Sequence, residues 1–259
     1  DRIPKGSPLQ QSVEIRKGIN LNLLDKVEDA KVLLERIAAD SSLDTRALVT
    51  LGDIMRSHKR FSEAVDYYNR VIALTTKAEP KHWVYWYARG TSYERLKKWP
   101  LAEADLLKAL QLAPDQPLVL NYLGYSWIDQ NRNLKQGMAM IEKAVAAKPD
   151  DGYIVDSLGW AHYRLGNYKE AVRHLERAVE LRPEDPTLND HLGDAYWRVG
   201  RQREARFQWD QALTLKPEAE EIDKIKAKLQ NGLARAPVPQ AAKKGKQASK
   251  NEAPRKRVQ

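Results

Sequence analysis

Residues 156–183, DSLGWAHYRLGNYKEAVRHLERAVELRP, and residues 190–217, DHLGDAYWRVGRQREARFQWDQALTLKP, carry one pattern at an offset of 34 residues. A unit of this length cannot bury its apolar face alone. Stacking it on its neighbours buries a continuous core, so a fixed period constrains the fold more tightly than composition does. The expected form is one elongated all-α domain whose core lies between repeats rather than in a globular centre.

With the Leu-Gly pair set at places seven and eight, six units begin near Gln11, Thr45, Trp83, Pro117, Gly152 and Pro186. The eighth place is Gly18, Gly52, Gly90, Gly124, Gly159 and Gly193, and the twentieth is Ala30, Ala64, Ala102, Gly137, Ala171 and Ala205. Small residues recur where the two helices of a hairpin touch, because a larger side chain would wedge the axes apart. Leu51, Leu123, Leu158 and Leu192 at place seven, and Trp86, Leu120 and Val155 at place four, are expected core, as are Trp127 and Trp209. Pro114, Pro149, Pro183 and Pro217 close four repeats, since proline lacks the N–H and disfavours a helical residue before it. A short insertion near Glu79 to His82 and one extra residue near Asn131 to Asn133 fall between helices, where they do little harm. The first unit fits the pattern least, with Lys17 in place of Leu, which suits a capping repeat. The resulting division is an extension over 1–10, six repeats over 11–218, a capping helix over 219–233 with Ile222, Ile225 and Leu229 on one face, and a basic, disordered tail over 234–259.

Several chemistries lack the residues they need. The chain has no cysteine, and its five histidines form no paired metal-ligand motif, so no metal and no cofactor is expected. No Gly-rich phosphate loop, nucleophile elbow or convergent catalytic set occurs, so no enzyme activity is expected. The tail carries eight basic residues against the single acid Glu252, so +7 of the net charge of +9 belongs to it. Such a tail can attract phosphate backbones, anionic lipid or an acidic protein patch, but no aromatic interleaves with its lysines, and nucleic acid is not the expected partner. The sequence opens on Asp1 rather than Met and has no apolar stretch suited to a signal peptide or a span. We therefore expect a mature product or a piece of something longer, held at a membrane only through an N-terminal anchor it no longer carries.

The 34-residue period, the early Leu-Gly, the central Ala and the closing Ala and Pro resemble the tetratricopeptide repeat. The resemblance implies a right-handed superhelical solenoid of about six helix hairpins whose first helices line a concave surface. It also implies ligand contacts at places two, five, nine, twelve and thirteen. In the third repeat these places hold Tyr87, Glu94 and Arg95, and in the fourth Asn121, Tyr125 and Asp129. In the fifth they hold Tyr153, Asp156, Trp160, Tyr163 and Arg164, and in the sixth Asp190, Asp194, Trp197 and Arg198. Tyr125, Trp160, Tyr163 and Trp197 then read as aromatic anchors for an extended or helical peptide, or as packing against the next repeat. Arg95, Arg164 and Arg198 share place thirteen and either grip a carboxylate or pair locally with Asp129, Asp156, Asp190 or Asp194. The Lys and Asn clamp of heat-shock co-chaperones, at places five and nine of one repeat, is absent.

The wording NYLGYSWIDQ, DGYIVDSLGWAHYRLGNYKEAV and LNDHLGDAYWRVGRQREARFQWDQAL, over roughly 117–217, further resembles the C-terminal repeats of proteobacterial tetratricopeptide adaptor lipoproteins. That resemblance implies a scaffold that holds a partner protein or peptide, namely a carboxyl-terminal processing protease or its substrates. It also implies a periplasmic or outer-membrane-associated location. The alternative is a cytoplasmic assembly factor whose basic tail binds nucleic acid or an acidic partner. Self-association through an end repeat stays open.

Overall fold

The computed structural model describes residues 8–40 and 45–234. The basic tail beyond Ala234, with its expected disorder, and residues 1–7 of the extension lie outside the described residues. Among the described residues the regular elements are all helical. They are α1 (Pro8–Leu23), α2 (Val27–Asp40), α3 (Arg46–Ser57), α4 (Phe61–Leu74), α5 (Trp83–Arg95), α6 (Trp99–Leu112) and α7 (Pro117–Asp129). There follow α8 (Leu134–Ala147), α9 (Gly152–Arg164), α10 (Tyr168–Leu181), α11 (Pro186–Arg198), α12 (Gln202–Thr214) and α13 (Ala219–Asn231). The insertion ahead of α5 is a single 3-10 turn, Pro80–His82, closed by the Glu79 N–H donating to His82 Nδ1 at 3.0 Å. The chain forms two compact units, 1–123 and 124–259, which part within α7.

The hairpins close as the small residues predict. A Cβ added to Gly18 would stand 2.7 Å from Leu34, one on Gly52 2.6 Å from Tyr68, one on Gly159 2.6 Å from Leu175 and one on Gly193 2.5 Å from Trp209. Each of these large side chains sits sixteen residues after its glycine, on the second helix, and is almost fully buried. The repeat is thus a knob of place twenty-four lowered onto a glycine floor at place eight. In the fourth hairpin Gly124 instead approaches the Gly137 carbonyl, 2.7 Å from where a Cβ would be. Between the two helices of every hairpin one residue takes the left-handed conformation. It is Asp25, Lys59, Lys97, Asn131, Gly166 and Gly200, with φ between 56° and 87°. Only two of the six are the residue that adopts this without strain. The extra residue of the fourth loop, Asn133, is also left-handed at φ 44°. Ala113, Lys148 and Arg182, each preceding a proline, hold φ near −140°, the extended backbone that the proline ring imposes on its predecessor.

In the first unit the core gathers Ile15, Leu34, Leu48, Leu51, Met55, Tyr68 and Val71. The first hairpin, expected as a capping repeat, leaves Val13, Leu23, Leu24 and Val32 exposed. In the second unit Leu175, Leu192, Ala195, Tyr196 and Trp209 pack with Ile225 of α13, while Ile128, Ile141 and Leu158 form a neighbouring cluster. Trp86, Trp127 and Trp209 are buried, as their places require.

Candidate protein-interaction site

The second unit orders its polar side chains in a ladder between successive first helices. Asp151 caps α9 by accepting from the Tyr153 N–H at 3.2 Å, and Asp185 caps α11 by accepting from Thr187 and Leu188 at 2.8 and 3.1 Å. These caps fix the start of the two helices that carry most of the candidate residues. On them Asp156 and His191 are both buried, with Nδ1 3.0 and 3.1 Å from the two carboxylate oxygens. Burial acts to lower the His191 pKa, but the Asp156 charge and hydrogen bond, with Asp190 and Asp194 behind, outweigh it and raise the pKa above 6.5. His191 stacks on Trp160 at 4.0 Å, and Trp160 stacks on Tyr163 at 4.7 Å, giving a column of three parallel rings. Trp160 Nε1 is buried and has no acceptor among the described residues. Beside the column Arg164 is exposed and reaches Asp129, and Tyr125 is half-buried against the cluster of Ile128 and Leu158.

The last rung is made with α13. Lys228 Nζ lies 2.7 Å from Asp190 and 2.8 Å from Asp194, and Asp194 also accepts from Trp209 Nε1 at 2.9 Å. Burial would lower the Lys228 pKa, but the two carboxylates outweigh it and raise it; burial raises that of Asp194 despite the lysine. Arg198 donates to Tyr163 Oη at 3.2 Å and to the Ala234 carbonyl. A Cβ on Gly232 would meet the Trp197 ring at 2.0 Å, so the chain after α13 lies directly on that indole, which also packs on Trp209 at 5.5 Å.

The candidate residues of the second unit therefore divide. Asp156, Asp190, Asp194, Trp197 and Arg198 are engaged inside the fold. Tyr125, Tyr153, Trp160, Tyr163 and Arg164 keep surface, Tyr153 being half exposed under the Arg182 guanidinium at 4.4 Å. Arginine at place thirteen pairs locally in one repeat, Arg164 with Asp129, and with a tyrosine and a carbonyl in the next. In the first unit Tyr87 meets Tyr122 edge-on at 6.0 Å, Tyr122 donates to Glu94 at 3.0 Å, and Arg95 lies 5.4 Å over the Phe61 ring. Asn121 is half-buried, and its Oδ1 has no donor among the described residues. The residue that sequence reading passed over is Lys228. Its signal was available, since a lysine on the apolar side of a short helix after an Asp-x-x-x-Asp pair is a candidate ion-pair partner. A second miss is a shallow cavity of about 370 Å³ in the first unit, floored by Ile15, Ile19 and Val49.

Family models described as "Tetratricopeptide repeat" and "TPR repeat" match residues 83–116 and 159–200. A TPR repeat-containing protein of Pseudomonas aeruginosa is 35% identical over 80 residues, which is 31% of this chain; the match spans 14% of that relative's length. Among solved structures, a chain of the APC/C hetero-tetramer Cut9-Hcn1 superposes with a TM-score of 0.72 at 16% identity, over 86% of this chain and 43% of its own. YrrB, described as a TPR protein with an unusual peptide-binding site, superposes with a TM-score of 0.51 at 16% identity, over 74% of this chain and 97% of its own. At these identities the likeness of structure speaks for the fold.

Proposed function

We propose that this chain, an all-α array of tetratricopeptide repeats, is an adaptor that performs no chemistry of its own and holds a partner segment against Tyr125, Trp160, Tyr163 and Arg164. Tetratricopeptide repeats serve in general as scaffolds for protein–protein interaction, and YrrB is described as carrying a peptide-binding site. The observation that carries the reading is the stacked column of His191, Trp160 and Tyr163. Rigid aromatic rings give large contact area at small entropic cost, and the unpaired Trp160 Nε1 leaves one donor for a backbone carbonyl of the bound segment once the ring shifts to meet it. The sequence resemblance over 117–217 favours a carboxyl-terminal processing protease or its substrate as the partner, and with it a periplasmic setting. The basic tail offers the competing mode, in which the repeats are a spacer and acidic partners or nucleic acid bind by charge.

One retention experiment separates the two. The intact chain, the chain ending at Leu233, and a Trp160→Ala/Tyr163→Ala variant verified helical by circular dichroism are each incubated with cell extract at low and moderate salt. The adaptor reading expects one protein retained by the first two at both salt levels and lost by the third. Retention that follows the tail and collapses with salt overturns it.

A further inference from the structure

We infer that the second unit meets an anionic lipid surface through the edge at which its first helices turn into its second helices, together with the basic tail that leaves the fold at that edge. The three turns lie side by side there, linked by Arg164 to Asp129 and by Arg198 donating to Tyr163 Oη at 3.2 Å. Residues 128–136, 163–170 and 197–204 of this edge hold seven basic residues against three acidic ones. At the opposite ends of the same helices the balance is reversed, for 148–151, 182–185 and 216–221 hold three basic residues against seven acidic ones. The unit is therefore polarised across its hairpins, and an anionic plane attracts one edge while repelling the other.

Three of the cations serve no contact of the fold. Lys135, Lys169 and Arg203 share one place of the repeat, the second residue of α8, α10 and α12, and each is exposed and makes no hydrogen bond or ion pair among the described residues. At the start of a helix the backbone dipole disfavours a cation and favours an acid. The first unit follows that preference, with Glu28, Ser62 and Pro100 at the same place, and the second unit departs from it in three successive repeats. The tail adds to the same edge. Gly232 lies on Trp197 and the Ala234 carbonyl accepts from Arg198, so the chain leaves the described fold at the turn end of α11, and the +7 carried by residues 235–259 starts there. Cations spread over three repeats of an outward edge suit headgroups that rearrange beneath fixed charges. Phe207, one helical turn beyond Arg203, stands 66% exposed and offers an apolar ring to the bilayer interface. Single-stranded nucleic acid would need free rings for its bases, whereas Tyr168 of this edge is turned against Tyr163 at 5.5 Å. None of this rests on the adaptor reading above.

The test uses the full chain, whose lack of cysteine allows a single cysteine at Gln202 on the basic edge, or at Glu184 on the acidic one, to carry an NBD fluorophore. Vesicles of phosphatidylcholine alone, or of phosphatidylcholine and phosphatidylglycerol in equal parts, are added with a spin-labelled lipid as quencher. The label at 202 should shift to the blue and be quenched on the mixed vesicles only, and the label at 184 should do neither. Lys135→Glu/Lys169→Glu/Arg203→Glu should silence the label at 202 and weaken vesicle binding about a hundredfold, the loss expected for three cations at an anionic surface. An acid suits these helix starts, so this variant should unfold at or above the wild-type urea midpoint, and the corresponding triple glutamine variant should bind between the two. Equal responses from the two labels, equal binding to neutral vesicles, or no binding to the mixed ones overturns the inference. So does a triple glutamate variant that binds as the wild type does, or vesicle binding through the tail alone that leaves the label at 202 unquenched. A single-stranded oligonucleotide that shifts the label at 202 where the mixed vesicles do not assigns the edge to nucleic acid and overturns the lipid reading.

Discussion

The two units are built on one repeat pattern yet tie their hairpins together differently. In the first unit the charged pairs between hairpins lie at or near the surface. Arg60 pairs with Glu28 and Glu63, Lys31 with Glu63 at 2.8 Å, and His58 with Asn22 at 2.8 Å, and the carboxylate of Glu63 is held down to about 2 by hydrogen bonds from Arg60 and then Lys31. The second unit has exposed links too, Arg164 with Asp129 and Arg201 with Glu176, but it adds buried ones: Asp156 with His191, and Asp190 and Asp194 with Lys228. Exposed pairs in water contribute little, whereas a buried pair costs several kcal/mol when one partner is removed. The second unit therefore depends on a few buried polar groups that tie one hairpin to the next and the last to α13, whereas the buried pair of the first unit, Arg89 with Asp105, lies within one hairpin.

The largest expected effect is on a part the two units share. Trp209→Ala empties the knob over Gly193 and removes a donor from Asp194, and should cost about 4 kcal/mol in urea unfolding followed by circular dichroism. Because a solenoid's repeats couple mainly to their neighbours, hydrogen exchange should show the loss in α11 to α13 and leave α3 and α4 protected. Lys228→Met leaves two carboxylates facing each other without their cation. It should cost about 3 kcal/mol, with the same local pattern of exchange. Equal loss of protection in α3 and α4 for either variant would erase the contrast between the units.

The next effect is a slope with pH. His191 has a raised pKa in the fold, so its contribution is complete below 6.5 and is lost as pH rises through the higher folded value. His162 and His174 are lowered by burial and act in the opposite sense, weakening the fold as pH falls below 6.5. The wild type minus the His191→Gln variant isolates the first contribution. That difference should shrink as pH rises above 6.5; a flat difference contradicts the buried ion pair. Lys97→Gly, at a left-handed position, should raise stability by about 0.5–1 kcal/mol. Smallest of all, Glu28→Gln should change unfolding by no more than about 0.5 kcal/mol, and that only at low salt.

Much of the architecture was legible in the sequence because it rests on residues with one physical use. Glycine at place eight and proline after the second helix have few alternatives, and the four hairpins from α5 to α12 close just ahead of those prolines, whereas the first begins at Pro8, inside the expected extension. The core tryptophans were legible for the same reason. The groove was only half legible. Tyr163 and Trp197 occupy equivalent places in adjacent repeats, yet one stands in a ring column at the surface and the other lies under Gly232. The difference is made by residues some 35 positions downstream, which no local pattern reports. The shared ion-pair partner of Asp190 and Asp194, Lys228, belongs to a helix whose apolar face alone marks it as a cap. The cavity of the first unit has no such signature in the sequence, for its lining mixes Ile15, Ile19 and Val49 with Arg16, Arg46 and Tyr85.

If the ring column of the second unit meets a partner, photo-crosslinking from beside it captures that partner. A benzophenone amino acid is placed at position 164, beside Tyr163, or at position 207, where Phe207 stands 66% exposed on α12. Illumination in the presence of cell extract should yield one discrete protein adduct from position 164 and not from 207, and Trp160→Ala should abolish it. Adducts equally strong from both positions, or an adduct from 164 that survives Trp160→Ala, would contradict the claim.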